Sequence, residues 1–314
     1  MQLVRQKGKV RTYRVALGLA ALVVAATGSG CAGGDGRDAR PSPSAGEQAK
    51  GGPKAPERAV GPAGALSAYA KKVKQAQAAR AAAAKKWGLE ETPLPAPPPP
   101  DDKPEITTRE GFEVKGGDEL PPVFTTVPTK EKIVFLTIDD GAEKDPELLR
   151  MMSDLKIPYS AFLSDYVIDD DYDYFEKMRD RGVALHNHTL NHPYLPGLSY
   201  SGQKREICGQ QDRLAKRYGT RPRLFRPPYG SYNRDTLRAA KSCGIEAVPL
   251  WASEAFPDRM EWREWDRDLH PGDIILTHFR GRGEWKGSMA DMIRRVMRTV
   301  TEKGYAVAKL EDYV

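Results

Sequence analysis

The 314-residue chain has little histidine, little cysteine and no apolar run of comfortable membrane-spanning length. Its three cysteines are Cys31, Cys208 and Cys243, and the absence of any Cys-x-x-Cys pair excludes a zinc ribbon. Basic charge is missing where a nucleic-acid partner would need it. Residues 1–105 hold 17 Lys+Arg against 9 Asp+Glu, whereas residues 106–314 hold 32 against 34. The overall charge of +6 therefore belongs to the N-terminal third, and no nucleic-acid partner is expected. A mildly basic N-terminal region suits anionic lipid or wall polymer instead.

That N-terminal third reads as addressing and spacing. Arg5, Lys7, Lys9, Arg11 and Arg14 precede the apolar run Val15–Ala26, and the small residues "TGSG" follow, ending at Cys31. The pattern resembles a bacterial lipoprotein signal, cleaved before a cysteine that is then lipidated, although Gly28 stands where such signals usually carry Leu. The expectation is an exported chain with residues 1–31 as signal. It would be anchored through lipidated Cys31 on the outer face of the cytoplasmic membrane, or secreted. Residues 32–105 are expected to form a tether. It opens with a Gly/Pro/Ala-rich stretch unable to build a core, continues as a solvated Ala-rich helix over Ala65–Glu90, and ends in the stiff spacer "PLPAPPPPDDKP". Cys208 and Cys243 could pair in an exported domain, and the sequence leaves that open.

From residue 106 the texture changes. "KIVFLTI" (132–138) is a continuous β-branched run, suited to a strand buried on both faces. "YSAFL", "VALHN", "RLFR", "AVPLW", "DIILTH" and "YAVAKL" follow at intervals, separated by helix-compatible stretches, several of which end at Gly182, Gly219, Gly244 or Gly304. The alternation predicts an α/β fold of about seven βα units in a monomeric 106–314 domain. A distorted (β/α) barrel leads, and an open doubly wound sheet is the alternative.

Histidine is scarce but not scattered: of five, three fall within seven residues, at His186, His188 and His192, with His270 and His278 elsewhere. The cluster directly follows a strand candidate. Asp139–Asp140–Gly141 follows another, "RPPYG" (226–230) a third, "ASEAF" a fourth, and His278 ends a fifth. Strand C-termini converge on one face of a barrel, where active sites form. His188 and His192, four apart, could share one ion from a helical turn, with Asp139 or Asp140 as a third ligand. Adjacent carboxylates leaving a strand diverge, so one can hold the ion while the other reaches a water. Two His and one Asp suit zinc, or by ligand type cobalt or nickel. His186 reads as a loop histidine, with a contact to the site's ligands or to substrate as the alternative, and His270 as a turn residue. Trp262 and Trp265 could meet sugar rings, or pack.

Four motifs in order, "TIDDG" (137–141), "HTLNH" (188–192), "RPPYG" and "LTH" (276–278), resemble the polysaccharide deacetylases, the NodB homology domain of carbohydrate esterase family four. The resemblance spans Lys132 to the C-terminus. It implies a metal held by Asp140, His188 and His192, with Asp139 as general base and Arg226 orienting that base. The Tyr229 N–H would stabilise the oxyanion, and His278 would act as general acid. Tyr229, Leu276 and Trp251 would contact substrate. The implied reaction is metal-dependent removal of N-acetyl groups from an N-acetylglucosamine-containing glycan such as peptidoglycan or chitin, releasing acetate. An O-acetyl esterase of the same family and a non-catalytic wall-binding protein are the alternatives. The family's Asp-containing motif that tunes the acid histidine is missing. The region reads "LWASEAFPD" (250–258), in which Glu254 is the candidate replacement.

Overall fold

The structure is a computed structural model that describes residues 62–117 and 119–314. The expected signal, Cys31 and the first part of the tether lie outside the described residues.

Helix α1 (Pro62–Lys86) is solvated along most of its length, but Ala83 and Ala84 in its last turns, and Trp87 just beyond, are buried. The Trp87 Nε1–H donates to Asp154 Oδ2 at 2.9 Å, and Arg294 Nε donates to the Trp87 carbonyl at 2.7 Å. The proline-rich run continues along the body, where Leu94 forms a parallel bridge to Ala306. Packing therefore reaches N-terminal of residue 106, because one tryptophan and two alanines supply the apolar surface that the rest of the segment lacks.

The main elements then alternate as β1 (Val123–Phe124), β2 (Ile133–Asp140), α2 (Pro146–Leu155), β3 (Ser160–Leu163), α3 (Asp165–Ile168), α4 (Tyr172–Arg179) and β4 (Ala184–Asn187). After these come α5 (Tyr200–Tyr218), α6 (Arg234–Ser242), β5 (Val248–Pro249), β6 (Ser253–Ala255), β7 (Met260–Trp262), β8 (Ile274–His278), α7 (Met289–Glu302) and β9 (Ala306–Ala308). Local chemistry sets the helix starts: Asp145, Ser199, Asn233 and Ser288 each accept a backbone N–H from the first turn. The four anticipated glycines, Gly182, Gly219, Gly244 and Gly304, all have positive φ just after helices. In α7, Met289, Met292, Ile293, Val296, Met297 and Val300 form the buried stripe expected of a helix lying on a sheet.

The sheet order is β4-β3-β2-β8-β6-β7, parallel except for the β6–β7 hairpin, and β9 pairs with the start of β2. A separate parallel pair, β1–β5, supplies the missing arc. Asn187 bridges to Phe225 and Leu224 to Ala247, and the Ile274 N–H donates to the Thr125 carbonyl, so hydrogen bonds run round the whole circuit. This is a distorted barrel whose far side is completed by bridges rather than by long strands. Phe124, Phe135, Phe162, Ile274, Leu310 and Tyr313 fill its interior, and a larger apolar cluster lies between the sheet and helices α2, α4 and α7. The "RLFR" segment contributes bridges rather than a strand, and the β6–β7 hairpin falls where no strand is expected from sequence.

Cys208 of α5 and Cys243 at the end of α6 form a disulfide, with Cα atoms 5.0 Å apart and 35 residues of separation. Closing a loop of that length removes denatured-state entropy worth about 4 kcal/mol. Replacing both cysteines by serine is expected to lower unfolding free energy by about 3–4 kcal/mol. Urea denaturation tests this, and an unchanged midpoint would show that the bond contributes nothing.

Candidate metal centre and active site

Alternation along β2 sends Phe135 into the barrel, along with Thr137 and Asp139, which meet Arg226 there, and sends Val134, Leu136 and Ile138 to the helix side. Asp140 would continue toward the helices, but its φ of 77° turns the chain. Its Oδ1 lies 3.5 Å from His188 Nε2 and 3.4 Å from His192 Nε2. Gly141 then has φ 105°, and a Cβ there would come within 2.4 Å of Ile168, which explains the glycine after the two aspartates.

The two histidines do not ride on a helical turn. They flank a loop after β4 in which Thr189 (φ 73°) and His192 (φ 52°) are left-handed, and the Thr189 Oγ1 accepts the His192 N–H at 3.0 Å. The four-residue spacing still brings the imidazoles together, through strained backbone rather than helical periodicity. With Tyr229 (φ 61°), four of the six non-glycine residues with positive φ among the described residues stand in this site.

The donor set can be tested against a cation. His188 Nδ1 lies 2.6 Å from the Arg226 carbonyl, which can only accept, so Nδ1 carries the proton and Nε2 presents a lone pair. Burial pushes the His188 pKa down to about 4, and burial also lowers that of His192, which keeps both rings neutral. Burial pushes Asp140 upward, but His188, His278, His192 and Arg280 more than offset it, leaving a carboxylate below its usual range. Asp140 Oδ1 is buried and has no hydrogen-bond partner among the described residues. Three ligand atoms, from Asp140, His188 and His192, thus lie within 4.8 Å of one another with lone pairs facing inward. Such an arrangement is costly unless a cation joins it, and its N,N,O composition fits a divalent ion with an open position.

Asp139 and Arg226 form the second half of the site. Arg226 is fully buried, and its Nη1 donates to Asp139 Oδ1 at 2.7 Å and to Thr137 Oγ1 at 2.9 Å. Its Nε donates to the Pro249 carbonyl at 2.8 Å. Burial raises the Asp139 pKa to about 6 against the opposing pull of Arg226, a value suited to accepting a proton near neutrality. His278 is the register partner of Asp139 across β2 and β8. Its Nδ1 lies 3.3 Å from Glu254 Oε1, so the candidate replacement for the missing motif does face this histidine. Burial, with Glu261 and Asp139, raises Glu254 to about 7, while burial lowers His278. Leu276 is buried on β8, in register with Thr137 and Glu254. Tyr229 is 65 % exposed, with its ring 4.7 Å from that of His192, and Trp251 is half-buried over Arg226.

All ten of these candidates therefore converge; Cys31 lies outside the described residues. Arg280 is an addition, its Nη2 3.1 Å from Asp140 Oδ2. Its only signal in the sequence is a charge two positions past a strand end. His186 is no loop residue: it sits on β4, buried, with Nε2 2.7 Å from Glu311 Oε1 in the barrel floor. His270 does occupy a turn, between Asp266 and Asp273. Trp262 packs against the main core, and Trp265 is exposed in the loop beyond β7.

The profile described as polysaccharide deacetylase matches residues 126–248. An uncharacterised protein of Streptomyces coelicolor is 41% identical over 63% of this chain and 79% of its own length. A peptidoglycan-N-acetylmuramic acid deacetylase of Bacillus subtilis is 25% identical over 59% of this chain and 72% of its length. The structure of a family 4 carbohydrate esterase from Bacillus anthracis superposes with a TM-score of 0.51 at 27% identity, covering 61% of this chain and 86% of the other.

Proposed function

The chain belongs to the polysaccharide deacetylase family, and from that premise we propose that it hydrolyses N-acetyl groups of a cell-wall glycan, releasing acetate, with a divalent ion at Asp140, His188 and His192. The observation that carries this reading is the buried, unpartnered Asp140 Oδ1 between two neutral imidazoles, beside a carboxylate held by a buried arginine.

Zinc fits the donors, and cobalt or nickel would by ligand type; the ion supplies Lewis acidity toward the acetamide carbonyl. Asp139 takes the proton of the attacking water, and Arg226 fixes the lobe of the carboxylate that does so. The backbone N–H of Tyr229 donates to the oxygen on which charge builds. His278 gives its proton to the departing amine, which otherwise could not leave. Leu276 and Trp251 bound the space for the acetyl group and sugar. Peptidoglycan is the favoured glycan, because the named relative acts on it and because an exported, lipid-anchored chain would meet it. That location rests on the N-terminal signal ending at Cys31, and the Cys208–Cys243 bond suits an oxidising compartment.

Acetate release from N-acetylglucosamine oligomers and from peptidoglycan, with added zinc or cobalt, tests the reading. Metal-dependent release that disappears in Asp139→Asn is expected. Metal bound without release from either substrate would overturn it.

Glu254 gives a sharper expectation. Above about pH 7, where Glu254 is ionised, its carboxylate beside Nδ1 favours the charged form of His278, so its loss lets the histidine shed its proton at lower pH. Glu254→Gln should move the alkaline limb of the kcat profile down by about 1 pH unit and reduce kcat, while Glu254→Asp keeps part of both. Because the two groups face each other at 3.3 Å, the limb reports the pair rather than either residue. An unmoved limb in Glu254→Gln would remove Glu254 from this role.

A further inference from the structure

Arg226 is the more deeply buried of two arginines beside Trp251. Its guanidinium lies 4.3 Å from the Phe162 ring centre and 5.9 Å from that of Trp251. A second guanidinium, that of Arg263, lies 4.5 Å from the Trp251 ring centre. The two arginines differ in one respect. Arg226 spends its donors on Thr137, Asp139, Pro249 and Leu250. The Arg263 side chain makes no hydrogen bond and no ion pair with any described residue.

Nearby acids are engaged elsewhere: Glu264 accepts from Arg109 at 2.5 Å, and Glu254 faces His278. The position is nevertheless fixed. The Arg263 N–H donates to the Ala252 carbonyl at 3.0 Å, directly after β7, and the guanidinium rests on the indole. It also borders the turn that carries Tyr229, since a Cβ on Gly230 would lie 2.9 Å from Trp251 and 3.9 Å from Arg263 Nη2. An unpaired guanidinium, preorganised on an aromatic face at the rim of a hydrolytic site, is a receptor for a carboxylate.

We propose that Arg263 binds a carboxylate on the substrate, giving the site a preference for an N-acetylated sugar that carries one, as the lactyl ether of an N-acetylmuramyl residue does, over its neutral counterpart. This rests on the deacetylase reading for its context but has its own test. Binding of a muramyl-containing tetrasaccharide and of the N-acetylglucosamine tetramer would be followed by NMR titration of the zinc-loaded protein. The wild type should bind the acidic ligand about tenfold more tightly, a difference typical of one charge-assisted contact. Arg263→Gln should erase that advantage and leave the neutral tetramer unaffected, Arg263→Lys should retain part of it, and about 0.5 M salt should shrink it. Equal affinities in the wild type, or an equal loss on both ligands in Arg263→Gln, would overturn the assignment. Acetate release is measured alongside: Arg263-dependent binding without turnover would sink the deacetylase reading and leave Arg263 as a carboxylate contact.

Discussion

His188→Ala is expected to abolish stoichiometric zinc binding and to lower acetate release on the order of a thousandfold, toward background. The size follows from what one imidazole does here. In the proposed centre it is one of three protein ligands, and the two remaining donors would not hold a divalent ion at micromolar concentration against water. With the ion goes the Lewis-acid stabilisation of developing charge, worth several kcal/mol, and each 1.36 kcal/mol is tenfold in rate. Thermal denaturation separates this from unfolding. Saturating zinc should raise the midpoint of the wild type by mass action, roughly 4 kcal/mol at a thousand times Kd, and should not raise that of the variant. Asp140→Asn is a second probe, because it removes the negative charge on which both imidazoles converge. If zinc shifts the midpoint of His188→Ala as much as that of the wild type, the three residues are not the metal centre.

Much of this site is legible in the sequence because its chemistry is concentrated at strand ends, where residue type and position carry information together. Asp139, Asp140, His188, His192, Arg226 and His278 can be named from such places. What stays hidden depends on distance or on irregular backbone. The partner of His186 is Glu311, 125 residues away, so the histidine reads as a loop residue until the barrel floor is built. Strands β1, β5, β6 and β7 are only two or three residues long, too short for alternation to register. Barrel closure rests on bridges at Phe225, Leu224 and Ala247 that leave no periodic trace. The meeting of His188 with His192 illustrates a correct destination reached by another route. Spacing suggests a helical turn, but left-handed φ angles at Thr189 and His192 bring the rings together. Backbone strain of that kind has a weak signature when the residue is not glycine. Docking of the segment near Trp87 is hidden for a compositional reason: an alanine-rich helix looks solvated, and over most of α1 it is.

Arg226→Met should cost about 3–5 kcal/mol of stability and most of the activity, for one reason. The guanidinium is fully buried and is the charged partner of Asp139, which is itself 2 % exposed. Removing it leaves an uncompensated carboxylate in the barrel mouth, the costly case for a buried ion pair. The carboxylate responds by taking up a proton. Its pKa, already raised to about 6 by burial with Arg226 pulling against that rise, climbs further once the pull is gone, and a protonated Asp139 cannot act as base. A double-mutant cycle distinguishes this account from simple loss of packing. The Asp139→Asn variant carries no charge there that needs Arg226, so Arg226→Met should cost less in the Asp139→Asn background than in the wild type. The expected coupling is about 1–3 kcal/mol, read from urea denaturation of the four proteins in the cycle. Additive effects would mean that Arg226 is held mainly by its bonds to Thr137, Pro249 and Leu250 and by its stacking on Phe162. Its pairing with Asp139 would then be incidental to stability, and its contribution to the proposed catalysis would have to come from orienting Asp139 alone.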